Sequence, residues 1–321
     1  MKIIVTGACG HIGSKLIRDL AGIFPGSEIV MIDNMSVQRY PSLFNLPDTA
    51  SYHFIEGDVL YYELEDIFSG AEAVVHLAAI TNAAGSFEMR EKVEKENFIC
   101  TKRVAETCLK TGASMIHLSS TSVYGTQKKI VDESCTEEEL QPQSPYAETK
   151  IREEKYLQQM SREKGLKCVI FRFGTIFGIS PGMRFHTAVN KFCWQAVLGQ
   201  PLTVWSSAYD QKRPYLDLED AVQAIIFIVK NKIFDGDIYN VLTHNCTVRE
   251  VVDIIRQSIP GLQVEFVDHQ IMNQLSYHVS CKKFEKLGFG FQGNIQNGIF
   301  NTIQLLRKAN AERSIPSAIK C

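Results

Sequence analysis

The sequence predicts a doubly wound parallel α/β sheet followed by a smaller mixed α/β cap at the C-terminal end. Three observations carry that expectation. Short β-branched apolar runs alternate with longer amphipathic stretches through the first half. A glycine-rich turn separates the first run from the first amphipathic stretch. Beyond Gly174 the alternation breaks down, with Pro181, Gly182, Gly199, Pro201 and Pro214 interrupting it.

The strand candidates are residues 2–6, 28–33, 52–56, 73–77, 114–119 and 167–172. Their runs are apolar throughout instead of alternating, as expected of strands buried on both faces. Helices are expected between them at 11–21, 60–68, 89–111 and 145–164, and right-handed crossovers then give the doubly wound arrangement. Further helices are expected at 189–198, 218–230 and 248–258, with a strand at 238–241. The predicted organisation is a dinucleotide-binding domain over 1–174 and a substrate-binding cap region over 175–321, with segments of the latter returning to the sheet. The tail from 307 onward is polar and expected to fray.

Bulk properties narrow the function. The 321 residues carry 34 basic and 36 acidic side chains, a net charge of −2. No field of one sign exists to recruit nucleic acid or an anionic membrane, so phosphate binding must be local. No signal peptide or membrane span is predicted. The nine cysteines include no C-x-x-C pair, a usage that suits a reducing cytoplasm better than a disulfide framework. No metal site is predicted.

Gly7-Ala8-Cys9-Gly10-His11-Ile12-Gly13 follows the first strand directly. Glycines here permit a tight turn and let backbone N–H groups approach a pyrophosphate at the helix N-terminus. The spacing is G-x-x-G-x-x-G, and three glycines alone are a weak signal. Asp33, twenty residues beyond Gly13 at the end of the second strand, adds the carboxylate that accepts hydrogen bonds from an adenosine ribose. The same carboxylate would repel a 2′-phosphate, and the nearest Arg or Lys after it is Arg39. NAD is therefore expected over NADP.

Tyr146-Ala147-Glu148-Thr149-Lys150 puts a tyrosine and a lysine on one face of a helix. A second copy of the spacing, Tyr124 to Lys128, has glycine beside its tyrosine and reads as loop. Tyr146 follows Ser144-Pro145, a good helix start. A phenol, with a pKa of about 10, is a poor base at neutral pH; a fixed ammonium about 4 Å away supplies roughly 4 kcal/mol, or about three pKa units. Ser120, in Leu118-Ser119-Ser120-Thr121-Ser122-Val123-Tyr124-Gly125 at the end of the fifth strand, is chosen over Ser119 and Thr121 as the hydroxyl that meets the reacting oxygen. Ligands of doubly wound sheets bind outside the carboxyl ends of the strands.

Taken in order, the glycine loop, Asp33-Asn34, Gly57-Asp58-Val59, His76-Leu77-Ala78-Ala79, Asn97, the Ser119 to Gly125 run, the Pro145 to Lys150 run, Arg172 to Gly178 and Arg213 to Asp220 closely resemble the extended short-chain dehydrogenase/reductase family. This family builds a Rossmann domain and includes UDP-galactose 4-epimerase and the nucleotide-sugar dehydratases. The resemblance implies cofactor contacts from Gly7, Gly10, His11, Ile12, Gly13, Asp33, Asn34, Asp58, Val59, Leu77, Ala78, Ala79, Asn97, Tyr146, Lys150 and Phe173. It implies catalysis by Ser120, Tyr146 and Lys150. Substrate contacts would come from Thr81, Ser120, Thr121, Thr175, Arg184 and Arg213, the last gripping a diphosphate through its guanidinium fork. His76 is expected to order its strand end, and Trp205 to cover a nucleotide base or to serve as core.

Two departures matter. Thr175 stands where the family often has an asparagine that contacts substrate phosphates. Thr121 and Ser122 stand where the 4,6-dehydratases carry an Asp-Glu pair. The second departure removes the acid and base of elimination, so the resemblance implies a nucleotide-sugar epimerase, at C4, with a transient keto intermediate. The alternatives are a net oxidoreductase (a ketosugar reductase, or a dehydrogenase of a small hydroxy compound such as L-threonine) and a non-catalytic dinucleotide sensor. Relatives often form homodimers through the two long helices, and the same is expected here.

Overall fold

The computed structural model describes residues 1–81, 85–125, 130–268 and 276–308. Its first elements are β1 (Lys2–Thr6), α1 (His11–Ile23), β2 (Glu28–Asp33), β3 (Ser51–Glu56), the single turn α2 (Glu65–Phe68), β4 (Ala73–His76) and α3 (Arg90–Thr111). Then come β5 (Ser114–Ser120), β6 (Ile130–Val131), α4 (Pro145–Lys164), β7 (Cys168–Phe173) and β8 (Thr175–Phe177). The later part contains α5 (Ala188–Val197), β9 (Leu202–Trp205), β10 (Lys212–Asp217), α6 (Leu218–Asn231), β11 (Ile238–Val241), β12 (His244–Thr247) and α7 (Val248–Ser258). It closes with β13 (Val264–Val267), β14 (His278–Val279), α8 (Lys282–Glu285) and α9 (Ile295–Arg307).

Seven strands form the central sheet in the order β11-β7-β5-β4-β1-β2-β3, and every pairing in it is parallel. Side chains alternate between the faces, as strand geometry requires. Ile3 and Val5 of β1 join a core built with Leu16, Ile17 and Leu20 of α1 and Val222, Ile225 and Val229 of α6. Ile4, between them, joins the opposite core with Val104 and Cys108 of α3 and Leu157 and Met160 of α4. Cover on both faces explains why every residue of β4 and β7 is buried and most are apolar.

Local signals set the helix ends. Ser144 Oγ accepts the Ala147 N–H at the start of α4, Pro145 fills the first turn, and Gly165 ends the helix at φ 75°. α7 opens with a reciprocal capping box between Thr247 and Glu250. The structure corrects two expectations. Of the helix expected over 60–68, only the turn Glu65–Phe68 forms; Asp58 Oδ1 accepts the Leu60 N–H and holds the segment before it as a loop. Arg307 belongs to α9, whose Ile295, Ile299 and Ile303 are buried in the third core; the remainder of the expected frayed tail, from 309, lies outside the described residues, as does Lys128.

That third core is the cap's. β8, β10 and β12 form a small sheet, and Phe177, Val189, Phe192, Tyr215, Val251 and Ile255 pack with α9 around it. α6 and β11, though later in the chain than β8, belong to the layers of the central sheet. Among the described residues no helix is long and apolar enough to cross a membrane.

Candidate active site

A cavity of about 820 Å³ opens where the C-terminal ends of β1, β2, β4, β5 and β7 meet the cap. Every cofactor, substrate and catalytic candidate named from the sequence lines it, from Gly7 at one end to Arg213 at the other. Residues far apart in the chain meet there because the strand order brings each strand end to the same edge.

The glycine loop is built from backbone. Gly7 has φ +67°, and a Cβ there would stand 2.7 Å from Ala78 N; one on Gly13 would stand 2.5 Å from Gly7 O. α1 starts at Gly10 with no side-chain cap and no acidic residue in its first turn, so its N–H groups and dipole are left for an anion. This cradle fits the pyrophosphate of a dinucleotide. From the cap, Gly182 lies against it, its N–H donating to Ser14 Oγ at 2.9 Å, and Ser180 Oγ lies 2.8 Å from His11 Nδ1. Burial, then the cations Arg184 and Arg39, push the His11 imidazole down to about 3, so it sits there neutral.

At the end of β2, the two Asp33 oxygens accept the Cys9 and Met35 N–H groups, each at 2.9 Å. The carboxylate is thereby fixed facing the groove. Asn34 Nδ2 donates to Asp58 Oδ2 at 2.9 Å, tying the ends of β2 and β3 together. Asn97 exchanges two hydrogen bonds with the Ile80 backbone, so it fastens the segment after β4. Arg39, the nearest cation after Asp33 in the sequence, also lines the cavity.

The catalytic candidates meet at the other end. Ser120 Oγ accepts from the Ser122 N–H and Oγ, the latter at 2.9 Å. Ser119 instead donates to Glu154 at 2.5 Å, and Thr121 Oγ1 donates to the Phe173 carbonyl. Lys150 Nζ stands 5.7 Å from the centre of the Tyr146 ring. Its short contact is Glu153 Oε2, at 2.8 Å. The ammonium expected beside the phenol carries a carboxylate behind it.

Glu153 is wholly buried and leads to a second hidden group, His117 of β5, whose Nε2 is 3.1 Å from Glu153 Oε2. The His117 ring stacks on His76 at 5.9 Å, and His76 Nδ1 is 2.8 Å from Thr6 Oγ1. His76 thus orders its strand end. Burial, then His117 and Lys150, push His76 down to about 3. Burial also works against charging Lys150, yet Glu153 holds it above its ordinary value. Burial works against Glu153, yet Lys150 and His117 hold it well below the usual carboxylate range. A separate buried pair flanks this one: Arg172 binds Glu154 through Nε at 2.9 Å and Nη2 at 2.6 Å, and its Nη1 donates to Tyr124 Oη. Tyr124 is therefore a packed structural tyrosine.

The cap supplies cations. Arg184 Nη1 donates to Thr81 Oγ1 at 2.5 Å, while its Nε is buried without a hydrogen-bond partner among the described residues. Arg213 lies 6.0 Å from the centre of the Tyr277 ring. His186, Lys191, Trp205 and Tyr277 share this wall. Of these only Trp205 has a signal in the sequence; His186 comes from just before α5, Lys191 from its first turn and Tyr277 from just before β14.

The family model described as "NAD dependent epimerase/dehydratase family" matches residues 3–241. The chain belongs to that family. By family and fold it is of the extended short-chain dehydrogenase/reductase type. It is 27% identical, over 94% of its length, to the Arabidopsis thaliana trifunctional UDP-glucose 4,6-dehydratase/UDP-4-keto-6-deoxy-D-glucose 3,5-epimerase/UDP-4-keto-L-rhamnose-reductase RHM2. It covers 46% of that protein, so it spans about half the length of this curated relative. It is 28% identical to the uncharacterized UDP-glucose epimerase YtcB of Bacillus subtilis (strain 168), over 79% of this chain and 81% of that one. The structure of MoeE5 in complex with UDP-glucuronic acid and NAD superposes with a TM-score of 0.83 at 26% identity, covering 96% of this chain and 100% of that one.

Proposed function

We propose that this member of the family is a nucleotide-sugar 4-epimerase working through a transient keto intermediate. The observation that carries the reading is the make-up of the cavity wall. Ser120, Tyr146 and Lys150 stand together at one end of the dinucleotide groove, while the wall carboxylates among the described residues are Asp33, Asp58 and Glu96. Asp33 ends β2, Asp58 follows β3 and Glu96 lies on α3, and Thr121 and Ser122 hold the places after Ser120. Elimination of water from the sugar has no acid–base pair beside Tyr146, whereas epimerisation needs only one proton acceptor and its return.

In this reading residues 1–174 hold the cofactor and 175–321 the substrate. The glycine loop, Asp33, Asn34, Asp58, Val59 and the segment Leu77 to Ala79 hold NAD, which when bound supplies a reversible two-electron acceptor. Arg213 and Thr175 hold the diphosphate, and Arg184, Thr81 and Thr121 line the sugar. Ser120 orients the hydroxyl, Tyr146 takes its proton, and Lys150 keeps the phenol in position and under a positive field. Once the sugar has turned its other face, Tyr146 returns the proton to the oxygen as the hydride returns from the bound cofactor to the ketone carbon, restoring the hydroxyl. α3 and α4, packed side by side, serve as the homodimer face. The cysteines described are all unpaired, which suits the cytoplasm.

The test is a panel of UDP- and dTDP-sugars followed by NMR. The expected outcome is a C4 isomer, formed with no net absorbance change at the NADH band. Steady NADH production from a small alcohol such as L-threonine would instead make it a net dehydrogenase. A Tyr146→Phe chain with undiminished biological function would make it a sensor.

A further inference from the structure

Beneath the catalytic pair lies a group that the reading above does not use. Glu153 is completely buried, and so is His117. Glu153 Oε1 and His117 Nδ1 have no hydrogen-bond partner among the described residues. Orphaned polar atoms in a dry interior are costly, yet an apolar residue at 153 would remove that penalty only by leaving the buried Lys150 ammonium without its partner. The carboxylate is therefore tied to Lys150. Its shortest contact, 2.8 Å to Lys150 Nζ against 3.1 Å to His117 Nε2, points at the chemistry.

We propose that Glu153 is a positioning residue that also tempers Lys150: by standing behind the ammonium it fixes where the cation sits and weakens the field the cation exerts on the Tyr146 oxygen. A lone ammonium favours the phenolate strongly. An ammonium backed by a carboxylate acts as a dipole whose two ends oppose each other at the phenol. The catalytic base is thus tuned by two charges of opposite sign, one facing the cavity and one hidden.

The other groups around this pair do not cancel the effect. On α4 itself, Glu154 is bound to Arg172. From β5 and β4 come His117 and His76, both pushed down first by burial and so neutral near pH 7. From α3 comes Cys100, its thiol pushed up to about 12 by burial. Arg184 in the cap acts on Tyr146 electrostatically and stays in place whichever residue occupies 153.

The inference rests on the epimerase reading for its turnover assay, so two readouts are needed. In the holoenzyme, Glu153→Gln removes the hidden charge and keeps the shape. The acid limb of its kcat/KM profile is expected to move to lower pH by about one unit. Glu153→Asp, which keeps the charge but draws it back from Nζ, is expected to move the limb the same way by less. If the Gln variant yields no soluble holoenzyme, the Asp variant carries the test. The second readout needs no turnover: tyrosinate absorbance of each holoenzyme against pH, minus that of the matching Tyr146→Phe chain. The difference titration is expected to move down with Glu153→Gln. An unmoved titration overturns the proposal. So does an upward move, which would mean that Glu153 serves only to keep Lys150 protonated. A shifted titration in a chain that epimerises no sugar leaves this inference standing and sinks the functional reading alone.

Discussion

The two ends of the cavity are built on different principles. At the glycine-loop end the recognising groups are backbone: the N–H groups at the start of α1, opened by Gly7, Gly10 and Gly13, with no charged side chain in the first turn. At the catalytic end they are buried side-chain charges held in pairs, Lys150 with Glu153 and Arg172 with Glu154. A backbone site depends on what is absent, a Cβ or a competing cap. A side-chain site depends on what surrounds it, because each buried charge is tolerable only with its partner. The first should fail through steric intrusion and the second through loss of a partner.

The largest effect should separate the ends outright. Tyr146→Phe is expected to lower kcat by about 10²- to 10⁴-fold, with NAD affinity by calorimetry changed by no more than a few-fold. Loss of NAD binding in that variant would mean that the ends are not independent. Next comes Arg172→Met, which strands a carboxylate whose pairing side chains are 4% and 3% exposed. It is expected to cost about 3–5 kcal/mol in urea unfolding, with part recovered in the Arg172→Met/Glu154→Gln double variant. No recovery would show that the pair is not the source of the loss.

At the other end, Gly13→Ala forces a Cβ to within 2.5 Å of Gly7 O. The expected cost is about 1–3 kcal/mol of strain, read as roughly 10- to 100-fold weaker NAD binding with an unchanged circular dichroism spectrum. Equal loss of helix and of binding would argue against a local cradle. The smallest effect is graded. His76 at the catalytic end and His11 at the loop end are each pushed down to about 3, chiefly by burial. Their folded values lie below the unfolded one, so their contribution is complete above about pH 6.5 and is lost as pH falls toward 3. The slope is about 1.4 kcal/mol per pH unit for each histidine. Thermal melts between pH 7 and 4 should show it, and His76→Asn should flatten it.

The comparison also explains what could be read in advance. The loop was legible because its signal is local: three glycines, a strand before and a helix after. α4 was legible from Ser144-Pro145 to Gly165 for the same reason, and Tyr146 and Lys150 came with it by helical spacing. Arg39 was seen but not placed, because its approach to the groove depends on the turn after β2, where Met35 and Gln38 adopt positive φ. Glu153 gave no signal, since an acid on a charged helix reads as solvated surface until β5 is laid against it. α9 went unread because its apolar residues face a cap core assembled from segments far apart in sequence.

By itself, then, the chain order of apolar runs and glycines determined the doubly wound sheet and the glycine turn, and helical spacing put Tyr146 and Lys150 on one helix, because period, spacing and turn geometry act over a few residues. Only the tertiary structure decided which charges are buried together, which arginines face the cavity and which cap loop lies over the phosphate turn. Those outcomes depend on desolvation and contact between residues up to some 170 positions apart, such as His11 and Ser180. No local pattern encodes the surroundings that make a buried carboxylate worth keeping.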